Sequence, residues 1–193
     1  MSILLALLGF LLQTPAQAPA LRPAYGNPVV VIETSAGTIT AELYKDRAPV
    51  STENFLEYVR AHHYEGTIWH RVVPGYVIQG GGYTPDMVEK GTRPPIQNEA
   101  TNNLSNKRGS LAMARTRAPR SATSQFYINV SNNDSLDHHG FSPDDFGYAV
   151  FGRVLQGMEV VDKIAAVKTA TTREGMENVP VTPVLIIGIT EKK

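Results

Sequence analysis

The stretch Trp69-His70-Arg71-Val72-Val73-Pro74-Gly75-Tyr76-Val77-Ile78-Gln79-Gly80-Gly81-Gly82 decides the fold. Two short runs rich in β-branched and aromatic residues flank a Pro-Gly dipeptide, and such runs read as strands. Pro74 presets its own φ and Gly75 accepts φ > 0, so the dipeptide reads as a tight turn. Folding the two runs together brings Arg71 and Gln79 to one surface. Taken alone, Arg71 reads as a surface arginine on an edge strand. Two later segments reverse that reading.

Outward from this hairpin, the chain alternates short strands with turns. Val29 to Thr34 and Thr38 to Leu43 form a second predicted hairpin around Ser35-Ala36-Gly37. In its second run Ile39, Ala41 and Leu43 share one face, and Thr38, Thr40 and Glu42 the other. A helix follows, with Pro49 near its first turn, Glu53 suited to its positive end, and Phe55, Leu56 and Val59 as its apolar stripe. Strands are expected at 109–114 and 125–130, a second helix from Met158 to Ala166 with Val161, Ile164 and Ala165 inward, and a closing strand from Val184 to Ile189. Many short strands separated by turn residues suggest a closed sheet, and two helices can cap its ends.

The 193 residues suit one domain plus an appendage. Eighteen basic residues balance eighteen acidic ones, which disfavours nucleic acid and gives no reason to expect a charged membrane surface as partner. Cysteine is absent, so disulfides and thiol chemistry are excluded. Ile3 to Leu12 is apolar over the length of a signal-peptide core and too short to span a bilayer comfortably. Ala16-Gln17-Ala18 and Ala18-Pro19-Ala20 both fit a small-x-small cleavage pattern. The expectation is a signal peptide at 1–20, a Pro/Ala-rich linker at 21–28, a periplasmic or secreted mature protein, and no membrane span after processing. No Lys or Arg precedes the apolar run, so an uncleaved tail on a cytoplasmic protein is the alternative.

The segment Trp69 to Gly82 is followed by Ser124-Gln125-Phe126-Tyr127-Ile128-Asn129 and by Phe146-Gly147-Tyr148-Ala149-Val150-Phe151-Gly152. Together these three resemble the cyclophilin family of peptidyl-prolyl cis/trans isomerases, from about Val29 to Thr190. The resemblance implies a mainly β fold, a closed eight-stranded antiparallel barrel capped by two α-helices, as one isomerase domain over 29–193. It also implies an enzyme that accelerates rotation about X-Pro bonds, here in exported polypeptides, with no cofactor and no metal. Its partners are flexible proline-containing segments, and the protein is expected to be a monomer. A module that holds such segments without turnover is the alternative, and the presence of both Arg71 and Gln79 favours the enzyme.

The chemistry needs no nucleophile. Rotation is slow because the amide C–N has partial double-bond character, and in the twisted state the prolyl nitrogen regains a lone pair. A guanidinium aims N–H donors at that nitrogen from a rigid fork. Arg71 takes this role, and Gln79 holds it through its amide oxygen. By resemblance, Tyr76, Val77, Tyr127, Leu136 and Tyr148 line the prolyl pocket, with Gln125 beside them, whereas Phe126 is read as barrel core. Met113-Ala114-Arg115-Thr116 matches the family's Met-Ala-Asn-Ala segment, whose backbone binds substrate as an added strand would, which places Ala114 and Arg115 at the site. The family's Trp-Leu-Asp appears as Ser135-Leu136-Asp137, so cyclosporin is expected to bind weakly. Lys107, Arg108, Arg115, Arg117 and Arg120 crowd the flank of this strand, either as a solvated loop or as a groove entrance favouring acidic peptides. His138-His139 with Asp137, Asp144 and Asp145 reads as a solvated loop rather than a metal site, because adjacent histidines project differently.

Overall fold

The structure, a computed structural model, describes residues 23–192 apart from Tyr25. The expected signal peptide and the start of the linker lie outside the described residues. Among the described residues no helix is long and apolar enough to cross a membrane.

The elements run in the order β1 (Val29–Thr34), β2 (Gly37–Leu43), α1 (Pro49–Arg60), β3 (Thr67–Ile68), β4 (Arg71–Val73), β5 (Val77–Gly80), β6 (Ser110–Met113), β7 (Phe126–Asn129), β8 (Val150–Gln156), α2 (Met158–Ala165), β9 (Thr169–Ala170), β10 (Val179–Pro180) and β11 (Leu185–Lys192). Nine strands form one antiparallel sheet in the order β3-β11-β1-β2-β8-β6-β7-β5-β4, and β9 and β10 pair separately. The expected ring of eight strands is therefore a curled sheet of nine. The extra strand arises because the run 67–73 is divided: β3 pairs with β11, β4 pairs with β5, and Trp69-His70 joins them. The two edges of the sheet meet through these two residues, and no ladder joins β3 to β4 among the described residues. The Trp69 N–H leaves the ladder to bond the carbonyl of Val184 at 3.0 Å.

The interior core holds Ile39, Ala41 and Leu43, as the alternation predicts, with Phe55, Leu56 and Val59 of α1 and Val161, Ile164 and Ala165 of α2. Phe126 sits at its centre, T-shaped against Phe55 and Trp69 with ring centroids 5.1 and 5.4 Å away. Strands β6 and β7 are buried along their whole length because each face has a cover. Leu111, Met113, Phe126 and Ile128 point into the interior core, while Ala112, Ala114 and Tyr127 join Val77 and Val150 in a second, smaller cluster. That smaller cluster forms the floor of the site described below.

Two charged residues depart from expectation. Glu42 shares the polar face of β2 yet is 0 % exposed. It accepts hydrogen bonds from the Ala24 N–H, Asn27 Nδ2 and Arg153 Nε at 2.7, 2.8 and 3.0 Å, which fastens the described end of the linker to the sheet. Burial alone would raise its pKa, but these donors outweigh it and hold the carboxyl below its usual value. Glu53 pairs with Arg60 instead of serving the start of α1. The free N–H groups of Val50 and Ser51 are taken by Glu99, from a distant segment, at 3.0 and 2.7 Å.

Candidate active site

Turn chemistry sets the first part of the site. Gly75 adopts φ 70°, and Tyr76 N–H bonds the Val73 carbonyl at 3.0 Å, so Pro74-Gly75 closes a β-turn of the kind that needs a left-handed third residue. The register that follows puts Arg71 opposite Gln79, Gln79 opposite Tyr127, and Tyr127 opposite Ala112. Side chains directly opposite one another share a face. One row across four strands thus carries a cation, an amide, a phenol and a small methyl group.

A cavity of about 250 Å³ opens over this row, lined by Arg71, Tyr76, Val77, Gln79, Ala114, Arg115, Tyr127, Leu136 and Tyr148. Nine of the ten residues expected from the sequence meet here. The tenth, Gln125, stands one step behind. Arg71 Nη1 reaches Gln79 Oε1 at 3.5 Å, and Gln79 Nε2 donates to Gln125 Oε1 at 3.0 Å. Gln125 Nε2 in turn reaches Glu89 Oε1 at 3.4 Å. Gly82 permits this arrangement, because a Cβ there would stand 2.6 Å from Gln125 Cγ.

The apolar wall is equally ordered. Tyr127 and Tyr148 meet edge to face with centroids 5.8 Å apart. The Tyr127 hydroxyl donates to Asn106 Oδ1 at 2.7 Å. Burial pushes the Tyr127 phenol well above its usual pKa and raises that of Tyr76, so both rings stay neutral. Arg115 does more than present backbone. Its guanidinium lies 4.5 Å from the Tyr148 ring centroid and donates to the carbonyls of Gly147, Thr116, Arg117 and Pro143 at 2.9–3.2 Å. A more open hollow of about 500 Å³ lies between α1 and residues 93–96, but its ionic groups are already paired, Glu57 with Arg93 and Glu53 with Arg60.

The sequence model of the cyclophilin type peptidyl-prolyl cis-trans isomerases matches residues 29–190, nearly the whole described chain. The chain belongs to the cyclophilin family. A peptidyl-prolyl cis-trans isomerase of Streptomyces antibioticus is 55% identical over 157 residues, 81% of this chain and 94% of that one. One of Acinetobacter baylyi is 54% identical over 170 residues, 88% of each chain. Among solved structures, a cyclophilin type isomerase of Cryptosporidium parvum, crystallised in the presence of the dipeptide Ala-Pro, superposes with a TM-score of 0.73 at 26% identity, over 86% of this chain and 99% of that one. The activity is peptidyl-prolyl cis-trans isomerisation.

Several residues that order the site of this cyclophilin carry no signal in the sequence. Asn106, Glu89 and His70 act from loops or from the break between β3 and β4, where no periodicity marks them. His70 is 3 % exposed beside Arg71, with its ring on Tyr83 at 4.7 Å. Of the two readings of the basic cluster, a solvated loop or a groove entrance, the ion pairs favour the first. Lys107 pairs with Asp134, Arg108 with Asp162 of α2, and Arg117 with Asp144, while Arg115 is committed to carbonyls. His138 and His139 contact the backbone carbonyls of Phe146 and Asp134.

Proposed function

We propose that Arg71 is the catalytic group of this isomerase and that the cavity beside it takes the prolyl ring. The twisted amide is bound more tightly than either planar form when N–H donors face the prolyl nitrogen as its lone pair develops. Gln79 holds the Arg71 fork, and Gln125 holds Gln79. Tyr76, Val77, Tyr127, Leu136 and Tyr148 accept the ring, and the backbone at Ala114 and Arg115 pairs with the substrate chain. The observation that carries this reading is the register of Arg71, Gln79 and Tyr127 across three neighbouring strands at the mouth of one apolar cavity. The substrates are flexible proline-containing segments of exported polypeptides, reached after removal of residues 1–20, and the enzyme acts as a periplasmic or secreted monomer. Cyclosporin binds weakly, because Ser135 offers neither an indole N–H nor its area.

A protease-coupled assay tests the assignment. Arg71 is only partly buried, so Arg71→Ala and Arg71→Lys fold with the wild-type circular-dichroism spectrum. Both lose on the order of 10²-fold in kcat/KM, since lysine lacks the rigid fork. Near-normal turnover by Arg71→Ala refutes it.

A further inference from the structure

The walls Leu136 and Tyr148 of the cavity are joined directly: Tyr148 N–H bonds the Leu136 carbonyl at 2.9 Å. Between them the chain leaves the cavity rim as a loop, 137–147, closed at this neck. The loop is held from within and from outside. Ser142 Oγ bonds Asp145 Oδ2 at 2.7 Å, and His139 N–H bonds the Asp145 carbonyl at 2.9 Å. Arg115 ties the carbonyls of Gly147 and Pro143, and Arg117 makes two bonds to Asp144 at 3.0 and 2.8 Å. At the tip stands Phe141, 81 % exposed, more than any other large apolar side chain among the described residues. It is not loose: its ring meets His138 at 5.1 Å and Phe146 at 6.2 Å, both T-shaped. A scattered exposed apolar residue needs no explanation. An aromatic ring propped by two others, on a braced loop rooted in two walls of a binding cavity, is different.

We propose that Phe141, supported by His138 and Phe146, is an accessory contact for the substrate chain, taking an apolar or aromatic side chain a few residues from the proline. This rests on the cavity being the prolyl site. The occupant is the substrate because the loop is rooted in two walls of that cavity, Leu136 and Tyr148, and so flanks a chain that leaves it on this side. Phe141 is five residues from Leu136, so their Cα atoms are at most about 18 Å apart, the span of about five residues of an extended substrate. The consequence is a preference for flexible segments in which prolines lie near hydrophobic residues, as in unfolded chains, over polar proline-rich linkers.

The experiment compares a tetrapeptide containing Ala-Pro with two series of thirteen-residue peptides, proline central, carrying Phe or Ser at one of the positions three to five residues away. The wild-type full chain turns over the best Phe peptide with a KM about fivefold below that of its Ser partner, the size expected from partly burying one aromatic ring. Phe141→Ser removes that ratio and leaves the tetrapeptide rate unchanged, and Phe141→Tyr keeps it. No difference between Phe and Ser peptides at any position, or a ratio that survives Phe141→Ser, overturns the proposal. So does a concentration-dependent dimer in sedimentation that Phe141→Ser abolishes, since the ring then belongs to a second copy. Failure of the wild type to turn over the tetrapeptide instead overturns the assignment of the site.

Discussion

Charging the buried His70 ring beside Arg71 costs folded-state free energy, and the stability of this protein should record it. The ring is buried between β3 and β4, and its Nδ1 has no hydrogen-bond partner among the described residues. Burial is the main cause of a pKa lowered from 6.5 to about 4, and the neighbouring Arg71 charge adds to it, opposed in part by the nearby Ile68 carbonyl and Gln125 side chain. Glu89, the carboxylate at the far end of the amide relay, contacts Gln125 Nε2 at 3.4 Å and bears on the Tyr83 phenol, so neither contact holds a charge against the His70 ring. In the unfolded chain the ring takes up its proton near its ordinary value. Between pH 6.5 and about 4 the unfolded state therefore binds more protons, so stability falls as the pH drops. At about 1.4 kcal/mol per pH unit the gap is worth roughly 3 kcal/mol, of which about 2.5 is already lost near pH 4.5. Urea unfolding of wild type and His70→Gln from about pH 7.5 to 4.5 measures it. His63, half-buried and also lowered, shifts stability in the same direction in both proteins, so the difference between them isolates His70. The wild type should lose about 2.5 kcal/mol more than the variant over this range. Parallel stability curves, or an imidazole resonance of His70 titrating near 6.5, refute the reasoning.

Glu99→Ala removes the acceptor for two free N–H groups and the Ser51 hydroxyl at the start of α1, and should lower unfolding free energy by about 1–2 kcal/mol in urea titration without changing kcat. Arg115→Ala and Arg115→Lys should both raise KM severalfold with kcat little changed, because lysine cannot bridge four carbonyls while stacking on Tyr148; steady-state kinetics separate the two constants. Ser135→Trp should tighten cyclosporin inhibition by at least about tenfold, from regained area and one hydrogen bond, while peptide turnover stays within about twofold.

The local arrangement of the site was legible because it rests on short-range rules. Pro74-Gly75 specifies a turn and the turn specifies a two-strand register, while the resemblance places Tyr127 in the pocket, and alternation along β7 agrees with it by turning Phe126 inward and Tyr127 to the cavity. The helices were legible for the same reason, since Phe55, Leu56 and Val59 repeat at helical spacing and Pro49 marks the start. The tertiary structure decided what the charges do. The basic run 107–120 looks like a positive surface along the chain, yet its partners Asp134, Asp144 and Asp162 arrive from β7–β8 loops and α2. Glu42 looks exposed by alternation but is buried under Arg153 and the linker, and Glu99 crosses the fold to cap α1. His70 reads as an ordinary polar residue until the break between two strands buries it. Backbone periodicity is a property of neighbours in sequence and can be read from them, whereas ionic pairing and burial of a polar group depend on which distant segments the sheet brings into contact.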